Sequence, residues 1–555
     1  MIRSTLLRMS FHFLLRGNAA GRLRAAGRYA APVPSLLLLG LIVGLPADPG
    51  AVFGPAHLGL SLELAALFGA ASLAARRGWR AGAGTIWLLT ALLLTILLIR
   101  LADLSARAFA GRAFEPGYDL MLLPALAEVM TANLSAPLPG VGLGAALVVA
   151  AVAVRFLLGS GLKGLERPAG RRVFAGFLVL ALAGQGIALA AGAGWRPLQP
   201  SERTVLALGR DLAGRMGEAA ALRRQGAEAL ARDPVGAIPD GRLLAALRGR
   251  DVIVVWVESY GLSALTDPRH VQVRERLARM EGELQAAGFH AVSGVLDSPV
   301  VGGRSWLAHG TFRAGIRQPQ VPVQAMVLAS GRSGLVHAFA RAGWRTVAAM
   351  PGLGSPWPEG LLWGFDQVVR RVDFPYSGPA FGWSAVPDQA LLASVEEMGL
   401  RGGGRPVYLE VVLTSSHAPW TPNPPWLEVR DRGGMADGSA YAGPVPPPDY
   451  GRMAEGYAAS LDYSLRAVSD WLVRAVGDGA LVIVLGDHPA LTWIAEDRGH
   501  AVPAHVFSRD RAVLAPFRAW GFQPGVVPEA EPPLFGLEGI LERFLDAFSP
   551  EGKAA

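Results

Sequence analysis

The sequence predicts two folding units of different class: an N-terminal α-helical transmembrane bundle of about five spans and, beyond residue 200, a layered α/β domain. Three observations carry this prediction. Long Leu/Ala/Val/Gly stretches fill the chain before Trp195, arginines cluster at their ends, and short β-rich runs alternate with helical stretches from Asp251 onward.

Apolar segments lie at 33–47, 57–75, 82–102, 141–161 and 173–194, the first being the shortest. Each is close to the ~20 residues that cross a hydrocarbon core. Arg76, Arg77 and Arg80 separate the second from the third; Lys163, Arg167, Arg171 and Arg172 separate the fourth from the fifth. Together with Arg3, Arg8, Arg16, Arg22, Arg24 and Arg28 they make one self-consistent set of cytoplasmic ends, so the N-terminus is expected in the cytoplasm and everything after Trp195 outside. The charged N-terminal region is too long for a cleaved signal peptide and reads as part of a retained anchor. Asp103 to Pro139 is then an external loop in which Tyr118 to Leu134 reads as a helix lying on the membrane surface. Glu63, Arg100 and Asp103 fall in or beside spans, where ionisable groups have either a functional or a structural part. The domain limits that follow are 1–200 for the membrane bundle, 201–245 for an amphipathic connector whose periodic part is Ser201 to Asp233, and 246–555 for an extracytoplasmic domain.

Much of the N-terminal basic charge behind the net +7 is arginine at helix ends, so the charge orients helices and gives no reason to expect nucleic acid. The chain has no cysteine, which excludes a disulfide framework, a thiolate metal site and a cysteine nucleophile.

In the second unit the strand-like runs are Val252 to Val257, His290 to Val295, Thr346 to Met350, Pro406 to Leu413, Ala480 to Leu485 and Val502 to Phe507, which argue a mainly parallel sheet. Ligand chemistry in such sheets gathers beyond the carboxyl ends of strands. There VIVVWVES ends at Glu258, VYLEVVLTSSH near His417, and LVIVLGDH at Asp487 and His488. One carboxylate after a strand is usually a cap or a surface group; three such strand ends coinciding point to a site. Glu258 and Asp487 supply hard oxygens, His488 an imidazole nitrogen and Ser305 a hydroxyl, a donor set suited to one Zn²⁺ or Mn²⁺ with a position left open.

On the segments VWVESYG, GGRSWLAHGTF, TSSHAPW and VIVLGDHPA, with LLWGFDQV, GWSAVPDQALLASV and the helix of Tyr457, Asp462 and Tyr463 beside them, the chain resembles the alkaline phosphatase and sulfatase superfamily. It is most similar to the membrane branch of lipoteichoic acid synthases and phosphoglycerol transferases. The resemblance implies a sulfatase-like α/β domain with one divalent metal ion, Mn or Zn, at Glu258, Ser305, Asp487 and His488. It makes Ser305 the nucleophile that carries a covalent phosphoryl group, where the family commonly has Thr, and His417 the group that contacts the substrate phosphate or assists the leaving group. Thr311 is the competing hydroxyl, with a structural role as its alternative. Arg304 either clamps a phosphoryl oxygen or is a surface residue. His309, His500 and His505 have no motif role, and alternation places His505 inward as packing.

Two departures bear on the substrate. The Cys/Ser-x-Pro-x-Arg pattern of sulfatases is absent around Ser305, and the lack of cysteine excludes formylglycine made from cysteine. Where lipoteichoic acid synthases have a His-Gly step and then Trp and Arg, this chain has Met350, Pro351, Gly352, then Trp357, Pro358 and Glu359. Of that substrate-binding set Trp357 alone has an equivalent, which argues against polyglycerolphosphate synthesis. Pro419 to Asp449 reads as a lid, a lipid-facing loop or a linker. The activity implied is transfer of a phosphoglycerol-type or related phospho-group from a membrane phospholipid donor to a glycan or lipid acceptor of the cell envelope, with a tethered phosphate- or sulfate-ester hydrolase as the alternative. The partners implied are that donor, that acceptor and the lipid bilayer, at a bacterial inner membrane with the catalytic domain in the periplasm.

Overall fold

The computed structural model describes residues 31–43, 60–110, 113–114, 119, 138–190, 198–199, 214, 217, 221, 224, 227–401, 403–428, 432–441, 443–495, 499–529 and 532–550. The chain divides into two compact units, one of Met1–Ala108 with Arg112–Glu218, the other of Phe109–Gly111 with Ala219–Ala555.

The first unit holds a helix at each of the five apolar segments: α1 (Pro32–Val43), α2 (Leu62–Arg76), α3 (Ala83–Ala110), α4 (Leu138–Leu165) and α5 (Pro168–Ala190). A two-residue parallel ladder joins β1 (Leu60–Ser61) to β2 (Leu198–Gln199). Among the described residues three helices are long and apolar enough to cross a membrane, Ala83–Arg107, Ala145–Leu165 and Pro168–Ala188. By their described residues α1 and α2 are shorter than these three. For α2 the reason is local: Ser61 caps its start by accepting from Leu64 N, and Arg77 and Gly78, the latter at φ +87°, end it after 15 residues. Leu39, Phe68, Leu158 and Leu162 are buried between helices, while Leu88 and Leu180 are more than 70% exposed, so the helices are apolar on both faces. Gly161 permits the close approach inside, since a Cβ there would lie 2.7 Å from the Phe68 ring. Glu166 Oε1 accepts from Ala81 N at 3.0 Å, so the two arginine-bearing turns lie at one end of the unit, as their charge pattern requires. Asp103 accepts from Arg107 Nε and Phe114 N, and Glu63 from Ser61 Oγ. The surface helix expected at Tyr118 to Leu134 and most of the Ser201 to Asp233 connector lie outside the described residues.

The second unit is built on an eight-stranded sheet of β3 (Val252–Val257), β4 (His290–Asp297), β5 (Arg345–Met350), β6 (Gln367–Arg370), β7 (Val407–Leu413), β8 (Leu481–Gly486), β9 (Ala501–Ser508) and β10 (Gln523–Pro524), in the order β10-β4-β9-β8-β3-β7-β5-β6. All six expected strands form; β6 and β10 are additional. The run from β8 to β6 is parallel, whereas β9, β4 and β10 are antiparallel, so the sheet is mixed. The connection from β8 to β9 carries only the short helical turn Thr492–Ala495 among its described residues. From it β9 returns antiparallel beside β8.

Helices α6 (Val271–Ala286), α8 (Asp388–Glu397) and α9 (Met453–Ala475) cover one face, burying Leu277, Leu391 and Leu465 with Ile253, Val255 and Val257. Helices α7 (Ser305–Ala314) and α10 (Gly539–Phe548) cover the other, burying Phe312 and Phe544 with Val254 and Trp256. Burial of β3 on both faces is why VIVVWV is unbroken by polar residues.

His505, on β9, is fully buried, with Nε2 at 3.1 Å from Tyr260 Oη and Nδ1 at 2.9 Å from Ser293 Oγ. Burial lowers its pKa from 6.5 to about 4. Between those values the unfolded chain binds a proton that the folded chain does not, so His505 costs stability as pH falls from 6.5 toward 4. From pH 7 to pH 5 the loss is expected to be about 2 kcal/mol. Melting curves at the two pH values check it: His505→Gln is expected to lose less on acidification than the unsubstituted chain.

Candidate active site

The parallel register aligns three strand ends. Val257 is the partner of both Leu413 and Gly486, so Glu258 emerges beside Asp487 on one side and Thr414 on the other. A Cβ on Gly486 would lie 1.9 Å from Tyr260 O, which makes glycine the residue that lets the chain after β3 pass the end of β8. Ser259 adopts φ +59°, rare for a residue with a side chain, and its N–H donates to Asp487 Oδ1 at 2.9 Å. The loop is clamped from outside as well: Ser416 Oγ donates to Glu258 O at 2.7 Å and Tyr457 Oη to Ser259 O at 2.9 Å.

Glu258, Asp487 and His488 are all buried, and one ligand atom from each lies within 4.8 Å of the others. His488 Nδ1 sits 2.8 Å from Pro489 O; a carbonyl only accepts, so Nδ1 carries a proton and neutral His488 presents the Nε2 lone pair to the cluster. Nε2 is 3.1 Å from Glu258 Oε1. Asp487 Oδ1 accepts from Ser259 N and His488 N, but Oδ2 is buried with no hydrogen-bond partner. Burial and the neighbouring Glu258 carboxylate push the Asp487 carboxyl well up, to about 8. Burial acts the same way on Glu258, where the His488 imidazole, with His417 and Asp487 beside it, outweighs burial and lowers the carboxyl. Burial opposes charge on His488, and the two carboxylates outweigh it and raise its pKa. Two converging carboxylates, one imidazole lone pair and an orphaned buried oxygen fit a divalent cation.

Ser305 stands at the start of α7, delivered by the Gly302-Gly303-Arg304 turn, in which Arg304 takes φ +63°. Its Oγ donates to Glu258 Oε2 at 3.0 Å and lies 3.2 Å from His488 Nε2. Thr311 is fully buried at the other end of α7, where its Oγ accepts from Gln318 N at 2.9 Å. Arg304 is half-buried next to Ser305, and its carbonyl accepts from Leu307 N.

His417 follows β7, half-buried; Nδ1–H donates to Ala418 O at 2.6 Å, and the ring stacks on Trp383 with centroids 4.0 Å apart. Trp357, half-buried, stands apart from this cluster of contacts: its ring faces the Arg313 guanidinium at 5.6 Å. His500 Nδ1 donates to Ser298 O at 3.0 Å, and Ser298 Oγ donates to Asp487 O at 2.6 Å. His309 is buried one helical turn after Ser305 and packs, tilted, on the Trp256 ring.

Sequence reasoning passed over Ser259, Ser416 and Asp388. The Asp388 carboxylate accepts from Thr414 N and Ser415 N and from Ser464 Oγ, so it fixes the turn that presents His417. The signal available was an acid in the first turn of an otherwise apolar helix, DQALLASV. Glu410, in the middle of β7, was equally legible as a charge inside a buried strand.

Residues 314–505 match the Sulfatase family model. The match takes in His417, Asp487 and His488, while Glu258 and Ser305 precede it. No curated protein matches the chain. Similar solved structures include a protein of the alkaline phosphatase superfamily from Vibrio parahaemolyticus, at 17% identity and TM-score 0.33 over 48% of this chain and 62% of that one. The chain therefore spans less than two thirds of the Vibrio protein. The lipoteichoic acid synthase LtaP from Listeria monocytogenes gives 13% and 0.33 over 49% and 69%. The Streptococcus pyogenes phosphoglycerol transferase GacH, in complex with sn-glycerol-1-phosphate, gives 12% and 0.33 over 52% and 74%. With its mixed sheet, its strand-end acids and the family match over residues 314–505, the C-terminal unit is a sulfatase-like α/β domain.

Proposed function

We propose that this chain is a membrane-tethered phosphotransferase that uses Ser305 to move a phosphoglycerol-type or related phospho-group from a membrane phospholipid to a glycan or lipid acceptor of the cell envelope. The observation that carries the reading is the Ser305 hydroxyl held between Glu258 Oε2 and His488 Nε2, at the rim of a buried cluster with an unpartnered Asp487 oxygen. A fully buried Thr311 that already serves Gln318 N leaves Ser305 as the hydroxyl in reach of a substrate.

Glu258, Asp487 and His488, with Ser305 Oγ, would hold one Zn²⁺ or Mn²⁺. When bound there, the ion supplies Lewis acidity to the hydroxyl and offsets the charge of an anionic phosphoryl group. Glu258 accepts the hydroxyl hydrogen and orients the Oγ lone pairs toward phosphorus. The Oγ–P bond forms as the P–O bond to the diacylglycerol breaks. His417, with Nδ1–H tied to Ala418 O, presents Nε2 to carry a proton to that leaving oxygen and back from the acceptor. Attack by an acceptor hydroxyl then breaks the Oγ–P bond and restores Ser305. Apolar helices in the same chain support a lipid donor, because tethering raises the local concentration of a substrate confined to the bilayer. The tether, the periplasmic side and the inner membrane are parts of one proposal.

Incubating the purified chain with phospholipid labelled in the headgroup phosphate tests this. Transfer predicts label on Ser305 and then on an added glycan or lipid acceptor, both lost in Ser305→Ala; label released only as water-soluble phosphate ester identifies a hydrolase. Asp487→Asn is expected to abolish the stoichiometric divalent cation found by elemental analysis and the rise in melting temperature on adding Zn²⁺ or Mn²⁺.

A further inference from the structure

Helix α7 and strand β3 meet in matched steps. Ser305, His309 and Arg313 follow at four-residue intervals and share one face of the helix. Val254, Trp256 and Glu258 follow at two-residue intervals on one face of the strand. A helix advances ~6 Å in four residues and a strand about as far in two, so the two series stay in step. At the top Ser305 Oγ donates to Glu258 at 3.0 Å; in the middle the His309 ring packs on Trp256 with centroids 4.3 Å apart and the planes tilted by 33°. At the bottom Arg313 meets Glu410, the β7 partner of Val254.

That lowest contact is a buried ion pair, with Arg313 and Glu410 side chains 2% and 0% exposed. Arg313 Nη2 donates to Glu410 Oε2 at 2.6 Å and Nε to both oxygens at 3.1 Å. Trp256 Nε1 donates to the same carboxylate at 3.2 Å and Tyr408 Oη at 2.8 Å. Glu410 thus fixes Arg313 on the helix and Trp256 on the strand together. Apolar residues of similar volume replace a buried ion pair with little or no loss of stability, so fold stability alone does not call for one. A guanidinium fork adds direction, which an apolar pair lacks.

We propose that the Arg313–Glu410 pair is a positioning element that sets the depth and rotation of α7 on the sheet, and thereby the placement of Ser305 Oγ against Glu258. Arg313 also lies within 6 Å of the Trp357, Trp363 and Phe365 rings. The same strut therefore ties the segment after β5 to the nucleophile helix. Trp357 serves there as packing on the strut.

The proposal rests on the reading of Ser305 as nucleophile, and the test separates the two. Full-length chain, Arg313→Met, Glu410→Met, the double variant and Arg313→Lys are compared in detergent for melting temperature, Zn²⁺ affinity, and kcat and KM on a chromogenic phosphodiester. Each methionine variant alone is expected to lose stability by leaving a buried charge unpaired. The double variant is expected to recover the melting temperature and to keep Zn²⁺ affinity and KM, with kcat down about ten- to a hundredfold. Arg313→Lys, which keeps the charge and loses the fork, is expected to show a smaller fall in kcat alone, and it carries the test if the double variant does not fold. Wild-type kcat in the folded double variant, or in Arg313→Lys where that carries the test, overturns the proposal, as does a loss that tracks Zn²⁺ affinity or KM. An unsubstituted chain that binds Zn²⁺ without Ser305-dependent turnover overturns the nucleophile reading itself, and the strut with it.

Discussion

Glu258 and Asp487 are two carboxylates buried side by side, and such a pair cannot both ionise without positive charge between them. The parallel pairing of β3 with β8 forces them together, because both strands end at the same level of the sheet. The two carboxylates raise the pKa of His488 against the burial that opposes its charge, so a proton there is one source of positive charge and a divalent cation would be another. A cation and that proton are therefore alternatives for one place, and the orphaned Asp487 Oδ2 marks the side left unsatisfied by the proton. The rest of the site follows from holding this unfavourable pair in place.

The surroundings are arranged for rigidity beneath and access above. Beneath, the Ser259 turn, the Ser416 and Tyr457 clamps and the Asp388 bonds fix the loops that follow β3 and β7. Above, Ser305 is half-buried, while Trp306 and Trp383 are 37% and 38% exposed. Trp383 stacks on His417, and a Cβ at Gly352 would lie 3.0 Å from its ring. The Trp357 ring faces the Arg313 guanidinium of α7.

The parallel strands were legible because each is buried on both faces and reads as an unbroken apolar run, as in VIVVWV and LVIVLG. Their ends named Glu258, Asp487 and His488 because the chemistry of such a sheet lies at one edge. The short edge strands β6 and β10 were not legible: QVVR and QP hold too few residues to show a period. The antiparallel return of β9 was not legible either, because an apolar strand pattern does not encode direction. In the helical unit, segment positions followed from composition, but the length of α2 depends on its Ser61 cap and its Arg77-Gly78 end. Ser305 and Thr311 follow the same glycine turn, and which of them faces the acids was not legible: Ser305 Oγ reaches Glu258, while Thr311 Oγ1 accepts from Gln318 N.

The account is tested most directly by counting the protons released when the metal-free chain binds Zn²⁺, by titration calorimetry near pH 7 in buffers of different ionisation enthalpy. If proton and cation compete for the Glu258–Asp487–His488 cluster, the binding enthalpy varies with buffer, at least one proton leaves per ion, and the release disappears in Asp487→Asn along with binding. A binding enthalpy independent of buffer, or Zn²⁺ bound as tightly after Asp487→Asn, would contradict it.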